Sequence, residues 1–575
     1  MSGKPRVVVD IEVYRNFFCV VCRGIKTDRT EAYHLSDRKD IASLLRSAEL
    51  VGYNLLNYDL PILRGIACGD LDTHEKIKAY SDKIIKRDLR HWQHDFGFPD
   101  VHCIDLMEVA PAVRLSLKLY GGRMHAPKMQ DLPVDPDADL TPEQMVEVER
   151  YCHNDVDITL RLHNMLIGQL DLRAAIGRGT LSKSDAQIAE YVLREELGYV
   201  EKPQLDLEAT WEYDIPRWLP NNLRDIVRGV KFQLSDKGAV VLPDELKGLK
   251  LKINQTTYKL GVGGLHSQES SVSHIPDADQ LLCDIDVTSY YPNIILTQKL
   301  YPEHLGTKFL DVYRSIVERR IAAKREGDKV TDGTLKITIN GAFGKLGSKY
   351  SFLFAPKLMT QVTVTGQLAL LTLIQGLENS GIQVVSANTD GVVTLLPKSK
   401  HDTLKHIVRE WEDMTGFNME YTYYQALYCR DVNNYLAIKS DGVKGKGIFA
   451  ESSLMKNPAA EVCYDAIRAN AMHHTPIEQY IRECADVTKF LVVRTVRGGA
   501  LKDGYEVGKV IRWYYSVNSD TPITYKTNGN KVPKSEGGVP MMNLEERVPE
   551  DMDYDWYISN TREIMESCAY EEYEW

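Results

Sequence analysis

Apolar and polar positions alternate in short runs over the first part of the chain. Val7, Val8 and Val9 predict one strand and Phe17 to Cys22 a second, with Asp10-Ile11-Glu12 where the first ends. Period-two geometry sets Asp10 and Glu12 on one face. Leu50 to Tyr53 predicts a further strand that runs into Asn54 and Asp59, inside VGYNLLNYDLPIL. From Val146 to Leu166 the period becomes helical, and Tyr151 and Asp155, four apart, share a face. Residues 166 to 230 read as mainly helical and 231 to 280 as strand-rich. The stretch Leu282 to Pro292, LCDIDVTSYYP, predicts an apolar strand ending in Asp286, with the proline stopping the ladder. Phe309, Tyr313, Ile316, Val317 and Ile321 then recur at helical spacing between Lys308 and Arg325. Asp328 to Val330 turn the chain, and Thr331 or Asp332 can cap a second helix through Leu335, Ile339 and Phe343, which completes a helical hairpin. A helix from Thr360 to Glu378 precedes GIQVVSANTDGVVTLLP, where two apolar runs flank Asn388-Thr389-Asp390-Gly391 as a hairpin with its acid at the turn.

Composition sets bounds on this outline. A chain of 575 residues has room for roughly three to five domains, and 43% apolar with 26% charged residues is a globular balance. No run approaches the ~18 to 20 apolar residues that span a bilayer, so no membrane segment is expected. The start, MSGKPRVVVDIE, has no apolar signal core, which predicts no export. Ten cysteines are scattered without paired spacing, as in a reduced intracellular protein. Cys19 and Cys22 form the one close pair, and without a second pair at zinc spacing they read as core thiols. A net charge of −11 argues against wholesale coating by nucleic acid and permits a local basic channel. No internal repeat or low-complexity tract is present.

The chemistry lies in the acids. Taken singly, Asp10, Glu12, Asp59 and Asp155 read as surface carboxylates; together they can supply the oxygen cage that two Mg²⁺ ions need for phosphodiester hydrolysis. In this order and with Tyr151 they resemble the DEDDy 3′–5′ exonuclease domain attached to family B DNA polymerases. The resemblance implies that the four acids hold metal ions and that Tyr151 orients the attacking water. Ser116-Leu117 resembles the short element with which such exonucleases grip a single strand. It implies Tyr120 stacking on a base, with Arg123 and Lys128 near phosphates, although Gly, Pro and Lys also make an ordinary surface loop.

Further along, Lys336, Asn340 and Phe343 fall at i, i+4 and i+7, a cation, an amide and an aromatic ring on one helix face. They resemble the family B fingers motif Lys-x-x-x-Asn-Ser-x-Tyr-Gly, with Gly341 and Phe343 departing from it. Asn388 to Gly391 resembles the motif Asp-Thr-Asp-Ser, with Asn388 and Gly391 departing and Asp390 in the place of the metal-binding acid. LCDIDVTSYYP then resembles Asp-x-x-Ser-Leu-Tyr-Pro, which makes Asp286 the second catalytic carboxylate. Tyr290 stands where leucine is usual, and Tyr291 would be the steric gate beneath the sugar; both join the dNTP contacts. Asp284 shares a face with Asp286, but the spacing to Ser289 and Pro292 favours Asp286. Arg320, Lys324 and Lys336 would neutralise the β and γ phosphates. Gly263 and Gly264 match part of a Tyr-x-Gly-Gly element that approaches DNA, or form a plain tight turn. Asn433 holds the lysine position of the Lys-x-Tyr primer element, which leaves Tyr435 and Lys446 as the expected DNA contacts.

The resemblance implies an α/β multidomain fold, an RNase H-like exonuclease domain followed by a right-hand polymerase. Its parts are expected at 1–170 (exonuclease), 171–280 (connecting region and start of the palm), 281–307 (palm), 308–350 (fingers), 351–430 (palm) and 431–575 (thumb). The last includes a Gly/Pro/Lys loop from Thr527 to Pro540 and an acidic, aromatic tail from Glu571 to Trp575. The implied activity is a proofreading DNA polymerase that extends a nucleic-acid primer, with two Mg²⁺ per site or Mn²⁺ in their place. Primer–template DNA and dNTPs are its implied substrates, other replisome proteins are further partners, and a monomer in a host bacterial cytoplasm is expected. Only 50 residues separate Asp286 from Lys336 and 46 separate Gly344 from Asp390. Both intervals are too short for the insertions of protein-primed members, so no terminal protein is expected. The compact length resembles a bacteriophage replication enzyme. Two rivals remain: an exonuclease with a degenerate polymerase region, motivated by Asn388, Gly341 and Gly391, and a non-enzymatic primer–template clamp, which the intact acid sets disfavour.

Overall fold

A computed structural model describes residues 3–86, 96–111 and 115–572. The alternation at the start of the chain becomes β1 (Arg6–Val13), antiparallel to β2 (Phe18–Gly24). β1 also pairs in parallel with β4 (Glu49–Gly52), and with β3 (Thr30–His34) and β5 (Cys103–Asp105) the sheet order is β3-β2-β1-β4-β5. Each face of β1 has its own apolar cover. Val9, Ile11 and Val13 pack with Ile62, Leu63 and Ile66 of α1 (Asp59–Cys68). Val8 packs on the other face with Val148, Cys152 and Val156, and Asp10 and Glu12 extend that face by the pleat. A short helix α2 (Leu117–Arg123) follows, then α3 (Pro142–Met165), which supplies those last three residues and starts on a capping box between Thr141 and Gln144 with proline at its first position.

Contacts divide the chain into two units, the first comprising Met1–Ser184, Ser452–Val462 and Cys484–Trp556, the second Asp185–Glu451, Cys463–Glu483 and Tyr557–Trp575. The second unit opens with α4 (Asp185–Leu197). Its main sheet uses β6 (Lys250–Ile253), β7 (Thr256–Leu260) and β8 (Leu265–Ser267). Strand β9 (Ser270–His274) belongs to a second sheet, and β10 (Gln280–Val287) returns to the main one. Four helices follow: α5 (Tyr290–Thr297), α6 (Lys308–Glu326), α7 (Lys329–Leu346) and α8 (Pro356–Asn379). Then come β11 (Gln383–Asn388), β12 (Gly391–Pro397), β13 (Met419–Tyr424), β14 (Ala426–Asp431), β15 (Asn434–Lys439) and β16 (Gly442–Gly445). The main sheet runs β13-β10-β12-β11-β8-β7-β6 and the second β9-β14-β15-β16.

The pleat of β10 separates two environments. Cys283, Ile285 and Val287 enter the large core with Leu368, Leu371 and Ile374 of α8. Leu282, Asp284 and Asp286 face the other way, where Leu282 packs with Leu427, Cys429 and Ala437 of the second sheet. α8 is the one helix among the described residues long and apolar enough to cross a membrane, and most of it is buried in this core. After Cys484 the chain rejoins the first unit and forms β17 (Val492–Lys502), β18 (Tyr505–Tyr515), β19 (Thr524–Tyr525) and β20 (Gly538–Pro540), in the order β19-β17-β18-β20.

Several sequence expectations change. Pro292 does not stop a ladder; β10 ends at Val287, Ser289 turns the chain with φ +48°, and the proline lies in the first turn of α5, where its missing N–H costs nothing. The cap of α7 is Asp328, which accepts from the Thr331 backbone N–H at 3.0 Å, because Gly327 ends α6 in the left-handed region and leaves no longer turn. The stretch 431–575, expected as one lobe, is shared between the two units. Tyr573, Glu574 and Trp575 of the expected tail lie outside the described residues.

α7 packs on α4 at Gly341. A Cβ there would lie 2.9 Å from Ala189 Cβ and 2.9 Å from the Asp185 carbonyl oxygen. Gly341→Ser, which installs the residue of the related motif, should therefore destabilise the protein by about 1–3 kcal/mol in urea unfolding; an unchanged midpoint would mean that the two helices are not held this closely.

Candidate active sites

In the first unit, β1 and α3 bring acids together. One oxygen each of Asp10, Glu12 and Asp155 lie within 4.8 Å of one another. Asp59 enters from α1, and its approach is fixed by Asp105, a fully buried carboxylate that accepts from the backbone N–H groups of Asn54 at 2.9 Å, Leu56 at 3.0 Å and Met107 at 3.0 Å. The Cys152 thiol donates to Asp10 Oδ2 at 3.5 Å. Like charges in a desolvated pocket resist ionisation. Burial, then the neighbouring carboxylates Asp59, Asp155 and Glu12, push Asp10 well above the usual range. Burial and Asp155 do the same to Glu12. Burial raises Asp59 to about 8 and Asp155 to about 6.

This set fits a divalent cation: all four ligands are hard oxygens, and Asp155 Oδ1 is buried without a hydrogen-bond partner among the described residues. Tyr151 is 4% exposed, and burial with the charge of Asp155 pushes its hydroxyl well above the usual range. A cation that the sequence reading passed over stands beside it. Lys118 Nζ lies 4.9 Å from the Tyr151 ring centre and 3.5 Å from Asp131, and its charge works against the rise at Glu12 and Asp155. Its position between Ser116 and Tyr120 was the available signal.

In the second unit, register sets the acids. Asp286 of β10 faces Gly391 of β12, and the Val287 N–H donates to the Asp390 carbonyl at 2.8 Å. Asp286, Asp390 and Asp284 line one cavity of about 310 Å³ with Tyr435, Lys444 and Lys446. Burial and the charge of Asp284 raise Asp286 to about 6, with Asp390 adding to the rise. Burial also raises Asp390, against the pull of Lys446. Thr389, directly before Asp390, holds φ +55°, a strained setting for a β-branched residue. β8 locks it: the Thr389 N–H donates to the Leu265 carbonyl at 2.8 Å, and a Cβ on Gly264 would come 2.9 Å from Thr389 Cγ2. Gly264 is buried and its bareness serves this approach, while Gly263 is exposed.

The departures from the related motifs have local causes. A Cβ on Gly391 would fall 2.0 Å from Asp286 Oδ1, so a serine there would displace the carboxylate. Asn388 donates through Nδ2 to the Val432 carbonyl at 3.1 Å, a bond an aspartate could not make. Phe343 packs 4.5 Å, centre to centre, from the Tyr291 ring, and the Tyr291 hydroxyl donates to the Gly263 carbonyl.

Other expected site residues fall elsewhere. Tyr120 is fully buried and its hydroxyl donates to the Pro111 carbonyl at 2.5 Å, so its ring has no face for a base. Ser116 caps α2 by accepting from Leu119 N–H at 3.3 Å, and Leu117 is half-buried beside it. Tyr290 is a core residue whose hydroxyl donates to the Gly366 carbonyl at 2.6 Å. Arg320 pairs with Asp332 at 3.1 Å and reaches Ser289 Oγ at 3.4 Å, just beyond the end of β10. Lys324, Lys336 and Asn340 are exposed on the α6–α7 hairpin, and neither lysine has an ion-pair partner among the described residues.

No protein-family model matches the chain. DNA polymerase II of Escherichia coli (strain K12) is 22% identical over 258 residues, 35% of this chain and 32% of that protein. The chain thus spans about a third of the length of the curated relative it matches. Among solved structures, a family B DNA polymerase from the hyperthermophilic archaeon Pyrobaculum calidifontis is similar at 15% identity and a TM-score of 0.41, covering 99% of this chain and 78% of that one.

Carboxylates with raised folded values stabilise the fold below their unfolded value and lose that contribution as pH rises through the folded one. Without divalent cations, the melting temperature should fall between pH about 4 and pH about 8, the window set by Asp59. Excess Mg²⁺ should restore it at the alkaline end and have no effect at the acid end. Asp59→Asn should flatten the chelated profile; a profile identical to that of the unchanged protein would contradict the assignment.

Proposed function

We propose that the chain is a family B-type DNA polymerase with a DEDDy 3′–5′ exonuclease, extending a nucleic-acid primer on a DNA template. The observation that carries the synthesis half is the lining of one cavity by Asp286, from β10, and Asp390, from the turn that leads into the adjacent antiparallel strand β12, together with Tyr435 and Lys446. The editing half is supported by the cluster of Asp10, Glu12 and Asp155 with Asp59 and Tyr151 beside it. Both sets are oxygen-only, which suits Mg²⁺ and also Mn²⁺.

Divalent cations supply nucleophile activation and charge neutralisation at both sites when bound. In the second unit, Asp286 and Asp390 fix where those charges sit, and Tyr291, braced by Phe343 and Gly263, sets the floor beneath the incoming sugar and fills the space of a 2′-hydroxyl. Arg320, Lys324 and Lys336 project from the α6–α7 hairpin toward the triphosphate and stabilise charge that builds on the β and γ phosphates. Tyr435 and Lys446 hold the primer end. In the first unit, Tyr151 orients the water that attacks the terminal phosphodiester, and the charge of Lys118 opposes the rise at Glu12 and Asp155. A mispaired end frays more readily, and competition between extension and trimming yields editing.

The short intervals around the hairpin favour a nucleic-acid primer over a terminal protein, and the size suits a phage replication enzyme acting as a monomer in a bacterial cytoplasm, alongside other replisome proteins. The rival of an exonuclease with a decayed polymerase rests on Asn388, Gly341 and Gly391. Each of these meets a packing or hydrogen-bonding demand of this chain, which supports the polymerase reading over the rival.

A labelled primer–template incubated with Mg²⁺, with and without dNTPs, tests both halves. Asp286→Asn should reduce extension by roughly 100-fold or more and leave trimming intact, while Asp10→Ala should do the reverse. Extension that survives Asp286→Asn would overturn the synthetic assignment, and trimming that survives Asp10→Ala would overturn the editing one.

A further inference from the structure

Asp284 lies two residues before Asp286 on the same face of β10 and is 5% exposed. A carboxylate so deeply set needs compensation. It accepts from the Tyr424 hydroxyl and pairs with the Lys444 ammonium at 3.1 Å. That ammonium also lies 3.0 Å from the Tyr424 hydroxyl and 4.0 Å from Asp286 Oδ2. Lys444 therefore links an acid that is held in place with one that opens on the cavity. Its side chain borders a second cavity as well, of about 490 Å³, where Glu451 offers another carboxylate.

We propose that Lys444 is a placeholder cation. In the metal-free protein its ammonium offsets the repulsion among Asp284, Asp286 and Asp390, and it yields its place beside Asp286 when a divalent cation binds. Asp284 is the positioning residue that keeps the ammonium there. This rests on the reading of Asp286 and Asp390 as a metal-binding pair.

The two residues then have opposite effects on cation binding. Without the ammonium, Asp284 adds uncompensated negative charge and no resident cation competes, so a divalent ion binds more tightly. Without the charge on Asp284, Lys444 is free to pair with Asp286 alone, and the divalent ion must displace it, so binding weakens. A purely structural role would weaken binding in both variants.

The test is Mn²⁺ binding to the full-length chain, followed by the electron paramagnetic resonance signal of the free ion, in an Asp10→Ala, Asp59→Ala background that silences the first unit. Lys444→Met should tighten binding by roughly threefold or more, Asp284→Asn should weaken it by a similar factor, and Lys444→Arg should stay close to the background protein. Tightening in Lys444→Met cannot arise from misfolding, which only removes sites. If Asp390→Asn leaves Mn²⁺ affinity unchanged, the metal-pair reading itself fails. If Asp390→Asn weakens binding while Lys444→Met and Asp284→Asn shift it in the same direction or leave it unchanged, the placeholder is overturned and the pair stands.

Discussion

Two carboxylates repel, and a fold that holds them together must do so by other means. Here the means is strand register: Asp286 sits opposite Gly391, and the backbone of Val287 grips the Asp390 carbonyl at 2.8 Å. The missing side chain at Gly391 leaves the space that Asp286 Oδ1 fills, and the bare Gly264 lets β8 clamp the strained Thr389 from the other side. Ile285 and Val287, on the reverse face, tie that register to the core around α8. A slip of one residue would exchange the acids for those apolar side chains, so burial and site geometry are enforced by the same pairing.

The first unit solves the same problem with a helix crossing a sheet. The face of β1 that carries Val8 packs on α3, and by the pleat Asp10 and Glu12 continue that face until they meet the row that holds Tyr151 and Asp155. Both sites therefore grow from the polar end of an apolar strand. In each a lysine stands next to the acids, Lys118 in one and Lys444 in the other, and moderates the cost of gathering them.

The strands and the helical hairpin were legible because they follow local rules, period two and period 3.6, whereas the acids were singled out by their resemblance to known motifs. What was not legible depends on contacts distant in sequence. Tyr120 and Tyr290 have the residue types of ligand contacts, yet their hydroxyls bond to the carbonyls of Pro111 and Gly366 inside the core. Asn388 has the sequence signature of a weakened acid, yet it donates to the Val432 carbonyl, and Gly341 that of a lost serine, yet α4 packs against it. Nor could periodicity show that residues 484–556 rejoin the first unit, since chain return is set by packing and leaves no mark on the local pattern.

The central claim is that Asp286 and Asp390 together bind the ions that drive nucleotidyl transfer. Its most direct test is a crystal structure with primer–template DNA, a non-hydrolysable dNTP and Mn²⁺, with the ions located by anomalous scattering. The account predicts two Mn²⁺ peaks about 3.5–4 Å apart, bridged by these two carboxylates. Manganese confined to the cluster of the first unit, with the cavity beside Gly391 empty in the presence of bound DNA and nucleotide, would contradict it.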